Sequence, residues 1–379
     1  MTGLLPRPLA DDVILPIGFD DDRLDTPAVL VDLDVVDSNI HRMSEFARRA
    51  GFSLRPHIKT HKSLAMARRQ LAAGASGLAV ATTAEAVVMA RSGVTDLLLA
   101  YPTIERRKLE RVAPLAKAGL ITFVSDSAEA THGYRELAGH LDRTIPVLVE
   151  VDTGMDRVGV EPSHVLKAAQ EIATSPGLQF RGVMTHAGHA HNATGARGIE
   201  LVARHEASVM GMVREDLETA GLDFDVVSAG STITAPYLSA ADGITEIRPG
   251  TYIYNDLRTL SCYACTADAI AMTALATVVS RNGDRITLNT GSKTLTPTTH
   301  PDFGYGHLLR SPDAQITRMS EEHAMVQMPE DKPPLSIGDR VQILPVHACV
   351  WSDLQPEIYG VRMGRIEERI TVDAMRHSL

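Results

Sequence analysis

The sequence predicts an α/β protein: a (β/α)8 TIM-type barrel followed by a mainly antiparallel β domain. Three observations carry this prediction. Short apolar runs bounded by turn residues alternate with stretches of helical periodicity from Ala28 to Ala229. The turn after the first run, Asp32-Leu33-Asp34, contains no glycine, which argues against a doubly wound nucleotide-binding sheet, the rival with the same alternation. After Ile244 the texture changes to alternating apolar and polar residues separated by tight turns.

Taken in order, Asp25-Thr26-Pro27 punctuates the start of a first strand, Ala28–Asp32. Leu33 to Ala50 then carries apolar positions at helical spacing, ended by Gly51. Further strand signals fall at Ser53–Lys59, Gly77–Ala81, Asp96–Tyr101, Ile121–Asp126, Ile145–Asp152, Gln179–His186 and Asp225–Ala229. The intervals read as helices, for example Thr83–Arg91 and Gly195–Ala220. Eight such units over about 220 residues fit a barrel with right-handed crossovers. In the second part, strands are predicted at Ile247–Tyr254, Ala271–Ser280, Asp284–Thr290 and Asp339–Pro345, with a Pro-rich loop at Glu330-Asp331-Lys332-Pro333-Pro334. This places a barrel domain at 25–255 and a β domain at 256–379, the latter joined by the N-terminal segment 1–24.

Composition narrows the function. With 44% hydrophobic and 22% charged residues, a 379-residue chain has the makings of a globular enzyme. A net charge of -10, from 37 basic and 47 acidic side chains, argues against nucleic acid or an anionic membrane surface as partner. No apolar run approaches a membrane span, and Met1 to Asp12 lacks the charged-then-apolar order of a secretory leader, so a cytoplasmic location is expected. Three cysteines, Cys262, Cys265 and Cys349, exclude a disulfide framework and raise the question of metal binding.

The stretch Leu54-Arg55-Pro56-His57-Ile58-Lys59-Thr60-His61-Lys62 is the first candidate for chemistry. Read as a strand, it gathers Arg55, His57, Lys59 and His61 on one face. Crowded like charges favour a neutral amine at Lys59, which a Schiff-base lysine requires; the competing reading is a solvated, charged edge strand. In a barrel the reactive groups sit at the C-terminal strand ends. There the sequence offers Thr82, Asp152 with Arg157, His186 with His189 and His191, and Ser228 to Thr232. Ala229-Gly230-Ser231-Thr232 follows a strand and can open a helix, which suits a phosphate as well as a plain N-cap. Arg248-Pro249-Gly250-Thr251-Tyr252 is a second phosphate wall. Pro345-Val346-His347-Ala348-Cys349, if extended, points an imidazole and a thiol the same way, as a zinc-like ion would need. Alternatively it is a buried thiol beside a satisfied histidine. Cys262-Tyr263-Ala264-Cys265 could join His347 and Cys349 in a closed Cys3His zinc site.

Together, several stretches resemble the D-threonine aldolase and D-serine dehydratase family: Asp25-Thr26-Pro27-Ala28, the run from Arg55 to Lys62, Thr153-Gly154-Met155-Asp156-Arg157-Val158-Gly159-Val160, Thr185-His186-Ala187-Gly188-His189, Gly230-Ser231-Thr232 and His347-Ala348-Cys349. The resemblance spans nearly the whole chain. It implies pyridoxal 5'-phosphate on an alanine-racemase-like barrel plus β domain, and a homodimer in which one subunit's barrel meets the other's β domain. By the same resemblance Lys59 carries the cofactor, with His57 beside it, and Arg157 and His186 line its ring. Gly230, Ser231, Thr232, Gly250 and Tyr252 hold its phosphate, and His347 with Cys349 binds a divalent metal that takes the substrate's β-hydroxyl.

Within that family the aldolases resemble His-x-Asp with manganese or magnesium, and the dehydratases His-x-Cys with zinc. This chain has His-x-Cys. Thr82-Thr83-Ala84-Glu85-Ala86 and Leu97-Leu98-Leu99-Ala100-Tyr101-Pro102 also look dehydratase-like. The expected activity is therefore dehydration of D-serine or another D-β-hydroxy amino acid to a 2-oxo acid and ammonia. The alternative is retro-aldol cleavage to glycine and an aldehyde; a racemase or a non-catalytic cofactor carrier fits less well. Val346, Val350-Trp351-Ser352-Asp353, Asn289 to Thr294 and Thr298-Thr299-His300-Pro301-Asp302 depart from the family pattern. These loops are where substrate preference is expected to reside.

Overall fold

The computed structural model describes residues 24–309, 311–330 and 335–377; the segment 1–23 and the heart of the Pro-rich loop, 331–334, lie outside the described residues. The chain forms two compact units, one of residues up to Ile40 with Thr251–Arg376, the other of His41–Gly250 with the last few residues.

The first predicted strand, β1 (Ala28–Asp32), is not a barrel strand. It lies inside a nine-stranded sheet, antiparallel to β10 (Met272–Asn282) through Val29↔Ala274 and parallel to β16 (Glu357–Arg362) through Leu30↔Tyr359. All five of its residues are buried. A strand covered on both faces reads as an apolar run in either sheet, so pattern alone assigned it to the wrong one.

The barrel unit uses β2 (Ser53–Leu54), β3 (Leu78–Val80), β4 (Leu97–Leu99), β5 (Ile121–Ser125), β6 (Ile145–Glu150), β7 (Leu178–Met184), β8 (Val226–Ala229) and β9 (Glu246–Ile247). They form one eight-stranded parallel sheet in the order β2-β9-β8-β7-β6-β5-β4-β3. The sheet returns on itself where His57 bridges Ala79 in parallel and the Ala79 amide donates to the Pro56 carbonyl at 2.9 Å. The eighth strand is thus β9, two residues long and too short for periodicity to reveal. Inside, Ala79, Leu98, Val124, Leu148, Met184 and Val226 form one packed cluster drawn from six strands, as a side-chain-filled barrel requires.

The other unit adds β11 (Arg285–Leu288), β12 (His307–Leu308), β13 (Gln315–Met319), β14 (Ala324–Gln327), β15 (Arg340–Leu344) and β17 (Arg365–Thr371) to β1, β10 and β16. The order is β11-β14-β13-β12-β15-β10-β1-β16-β17, antiparallel except at β1–β16. Its core gathers Leu30, Leu257, Ile270, Leu275, Leu344, Val346 and Val361. The predicted strand Ile247–Tyr254 is absent: Ile247 ends β9, and Thr251–Ile253 is a single 3-10 turn. Among the described residues no helix is long and apolar enough to cross a membrane.

Candidate active site

In the barrel unit the Lys59 stretch departs from the predicted continuous strand. Regular pairing stops at Leu54, and Ile58–Thr60 is a 3-10 turn. Pro56 has no amide to give to a ladder. The amide of Arg55 still donates to Ile247 (3.0 Å) and that of His57 to Pro249 (3.0 Å), after which the chain turns. The His57 Nδ1 accepts the Lys59 amide at 3.3 Å and caps this turn, which leaves the ring proton on Nε2. The predicted cationic face is divided by partners. Arg55 is buried between Glu246 and Asp96, both at 2.7 Å. His61 is buried against Gln70 at 3.1 Å, and Lys62 pairs with Glu85 at 3.4 Å. His57 and Lys59 remain partly exposed at the strand end.

His57 and His186 are both held well below the ordinary imidazole range, first by burial and next by the charge of Lys59, with Arg248 adding to each. Both rings are therefore neutral at pH 7. Arg157, placed by Gly154 and Met155 amides that donate to Asp152 Oδ1 (2.9 and 3.0 Å), is exposed. Arg248, which the sequence places in the second phosphate wall, is a buried cation. It donates to the Ser228 hydroxyl and the Thr185 carbonyl. Glu150, at the end of β6, is a residue the sequence reading does not single out; an acid closing the apolar run Ile145–Val149 is the signal that could have found it.

Glu150 is 2% exposed, and its Oε2 has no hydrogen-bond partner. Burial pushes its carboxyl up to about 7, against the pull of Arg248 and Arg157 and with the push of Asp126 and Asp152. The folded state thus keeps a proton that the unfolded chain, near 4.5, gives up. The stability linked to this group is fully present below about pH 4.5 and is lost as pH rises through 7, on the order of 3 kcal/mol in all. Glu150→Gln cannot ionise. Urea unfolding of the cofactor-free protein is therefore expected to show variant and wild type drawing apart between pH 5 and 8, with the variant the more stable at pH 8. A constant difference across that range would reject the linkage.

The Gly230–Thr232 turn does not open an α-helix. The Ser231 hydroxyl accepts the amides of Ile233 and Thr234, each at 3.2 Å, and the next element is only the 3-10 turn Ala235–Tyr237 around Pro236. The Gly230 amide donates to Glu206 (3.0 Å) and that of Ser231 to the Thr234 hydroxyl (2.9 Å). Gly230 has φ +78°, and a Cβ there would meet Leu238 at 3.0 Å, so glycine is required. A Cβ at Gly250 would lie 2.9 Å from the His57 carbonyl, so the backbones after β2 and β9 meet beside the Lys59 turn. A lysine amine, a Gly-Ser-Thr turn, neutral imidazoles, the cations Arg157 and Arg248, and an orphaned carboxyl oxygen on Glu150 form a donor-rich setting. It fits an aldehyde carrying a phosphate, as pyridoxal phosphate does.

Tyr252, His347 and Cys349 belong to the other unit. Tyr252 is 4% exposed in its 3-10 turn. His347 is extended (φ -143°, ψ 98°), but Ala348–Leu354 is helical, so the extended stretch expected to align His347 with Cys349 ends at His347 and Cys349 lies in the first helical turn. Asp256 is the reason. It caps the helix Leu257–Ser261, its Oδ1 accepting the Thr259 amide at 2.8 Å, while Oδ2 accepts the Ala348 amide at 3.0 Å. Burial raises the Asp256 carboxyl, and the charge of His347 lowers it. The Cys349 sulfur lies 3.9 Å from the Thr251 hydroxyl, and Arg258 Nη1 lies 3.5 Å from His347 Nδ1. Among the described residues no three His, Cys, Asp or Glu side chains are placed to hold one ion, so Cys262 and Cys265 do not complete a Cys3His set. An imidazole and a thiol held on one braced turn fit a catalytic ion that takes its other ligands from water and substrate.

The chain matches the alanine racemase N-terminal domain family over residues 31–257 and a putative serine dehydratase domain over residues 271–361. A D-threo-3-hydroxyaspartate dehydratase of Delftia sp. (strain HT23) is 33% identical over 347 residues, covering 86% of this chain and 91% of the relative. A D-threonine aldolase of Arthrobacter sp. is 28% identical over 350 residues, covering 91% of each. The crystal structure of a D-threonine aldolase from Filomicrobium marinum superposes with a TM-score of 0.86 at 28% identity, over 94% of this chain and 97% of that one. With the parallel barrel, the antiparallel sheet and family matches over residues 31–257 and 271–361, the chain belongs to the alanine racemase N-terminal domain family, among the pyridoxal phosphate-dependent lyases of the D-serine dehydratase and D-threonine aldolase type.

Proposed function

We propose that this protein is a metal-dependent dehydratase of a D-β-hydroxy amino acid, releasing a 2-oxo acid and ammonia, and that it works as a cytoplasmic homodimer. The observation that carries the reading is the donor pair itself. The turn braced by Asp256 offers an imidazole and a thiol, His347 and Cys349, and a thiolate prefers zinc to manganese or magnesium.

Lys59 carries the cofactor, and the turn of Gly230, Ser231 and Thr232, with Gly250 and Tyr252, holds its phosphate. His57 orients the Lys59 turn through the 3.3 Å bond to the Lys59 amide. Arg157 and His186 face the ring. Bound there, pyridoxal phosphate supplies an electron sink for the pair left on the substrate α-carbon, and the divalent ion supplies a Lewis acid for the β-hydroxyl. Lys59 Nζ takes the proton from the α-carbon. The C–O bond at the β-carbon breaks and the hydroxyl leaves as water, taking up the proton that Lys59 Nζ had removed, and hydrolysis of the released enamine gives the 2-oxo acid and ammonia.

Incubating the zinc- and cofactor-loaded protein with D-threonine tests the reaction type. 2-Oxobutyrate with ammonia is the expected outcome. Glycine with acetaldehyde would replace the dehydratase reading with the aldolase one, which the 28% identity to a D-threonine aldolase over 91% of the chain supports.

A further inference from the structure

We infer that Glu206 is a positioning residue for the cofactor: its carboxyl ties the loop after β7, which carries His186, to the turn Gly230–Thr234, and so fixes the phosphate-binding turn against the ring-facing imidazole. The inference rests on the proposed role of the Gly230–Thr232 turn in holding the cofactor's phosphate.

The long helix Gly195–Thr219 presents one buried stripe. Ile199, Ala203, Glu206, Met210, Val213 and Leu217 recur along it at helical spacing, and all are buried. The acid in the middle, 0% exposed, stands where a core side chain would. A buried carboxyl is costly unless it finds donors, so its partners show what it does.

Glu206 Oε1 accepts the Gly230 amide at 3.0 Å, while Oε2 makes no close hydrogen bond. Burial raises the pKa of this carboxyl most, and the Gly230 amide, the Thr234 hydroxyl, the charge of Arg248 and the Ala187 amide pull the other way. Those groups come from two separate loops. The last ladder bond between β7 and β8 runs from the Thr185 amide to the Ser228 carbonyl at 3.0 Å. Arg248 clamps the same two residues through the Ser228 hydroxyl and the Thr185 carbonyl. Past that point Glu206 spans Ala187 and Gly230.

The turn meets this carboxyl at both ends. The Thr234 hydroxyl accepts the Ser231 amide at 2.9 Å, which leaves its own proton for Glu206. The Ser231 hydroxyl accepts the Ile233 and Thr234 amides and can turn its proton to a phosphate oxygen. Because the Gly230 amide is spent on Glu206, that glycine serves the phosphate by its left-handed φ and the hydroxyl groups after it make the contact.

Equilibrium binding of pyridoxal phosphate and of pyridoxal to the apoprotein, read by absorbance, tests this without turnover. The two aldehydes react alike with Lys59 and differ by the phosphate, so their affinity ratio reports on the turn. Glu206→Met fills the stripe with an apolar side chain of similar length. It is expected to lower the ratio by roughly tenfold or more, the loss of a buried hydrogen bond and of the geometry it holds, while pyridoxal affinity stays within about threefold. Glu206→Gln keeps an oxygen for the Gly230 amide and should keep most of the ratio. An unchanged ratio in Glu206→Met would overturn the inference, because the residue would then only fill space. So would an equal loss for both aldehydes, which marks general damage.

Ser231→Ala separates this inference from the reading beneath it. A ratio that falls in Ser231→Ala but holds in Glu206→Met strikes the positioning role alone; a ratio untouched by Ser231→Ala strikes the phosphate assignment itself. Should Glu206→Met fail to fold, hydrogen exchange on the wild type decides. The Gly230 amide is expected to be protected with or without cofactor. Protection that arises only on adding pyridoxal phosphate would assign that amide to the phosphate and overturn the role of Glu206.

Discussion

Lys59→Ala is expected to abolish the visible absorbance band of the covalently held cofactor and to lower kcat/KM by roughly 10³- to 10⁴-fold, the loss that follows when a covalent anchor and general base are removed together. The argument is positional. Lys59 sits in a 3-10 turn at the C-terminal mouth of the barrel, where parallel barrels carry their chemistry. The turn is held from both ends. His57 accepts the Lys59 amide at 3.3 Å, and the His61 amide returns to the Ile58 carbonyl at 3.0 Å. Neither contact uses the lysine side chain, so the variant should fold and still hold the cofactor without a covalent bond, through the Gly230–Thr232 turn and Gly250. Two readouts follow. The absorbance should shift to that of the free aldehyde while the cofactor still co-elutes with the protein, and added methylamine should restore part of the turnover. Survival of the original band in Lys59→Ala would sink the assignment.

Much of this site was legible because its residues are punctuation. Lys59 follows a proline that ends a strand, and Gly230 requires a left-handed φ. Such signals are local, and sequence carries them well. What sequence did not show was pairing. The apolar run of β1 is equally compatible with either sheet, and only its partners β10 and β16 place it. The last barrel strand, β9, has two residues and no period to read. The charged face at Arg55 to His61 looked like one electrostatic feature. Glu246, Asp96 and Gln70, distant in the chain or across a turn, divide it into structural pairs and a reactive remainder. Glu150 escapes notice for the same reason, since a lone buried charge has meaning only through the groups it faces in space.

Removing the proposed metal is the second large effect expected, and its consequence for the fold separates a catalytic ion from a structural one. A chelator, or His347→Ala, is expected to lower the elimination rate by about 10²- to 10³-fold, the loss of a Lewis acid acting on the leaving oxygen, while the melting temperature moves by no more than a few degrees. A structural zinc would behave otherwise, because its binding energy is folding energy. The turn here is already braced by protein groups. Asp256 Oδ2 accepts the Ala348 amide at 3.0 Å, Leu257 donates to the Pro345 carbonyl at 2.9 Å, and the buried Trp351 indole donates to the Leu295 carbonyl at 2.5 Å. None of these bonds involves the imidazole or the thiol, so the turn should keep its shape when the ion leaves. Cys349→Asp extends the test, because a carboxylate in place of the thiol should shift the preference from zinc toward manganese. Re-adding each ion to chelated wild type and variant would show whether the ion that restores turnover changes with the ligand. Cooperative unfolding on chelation would instead make the ion part of the fold, and the catalytic assignment of His347 and Cys349 would fall with it.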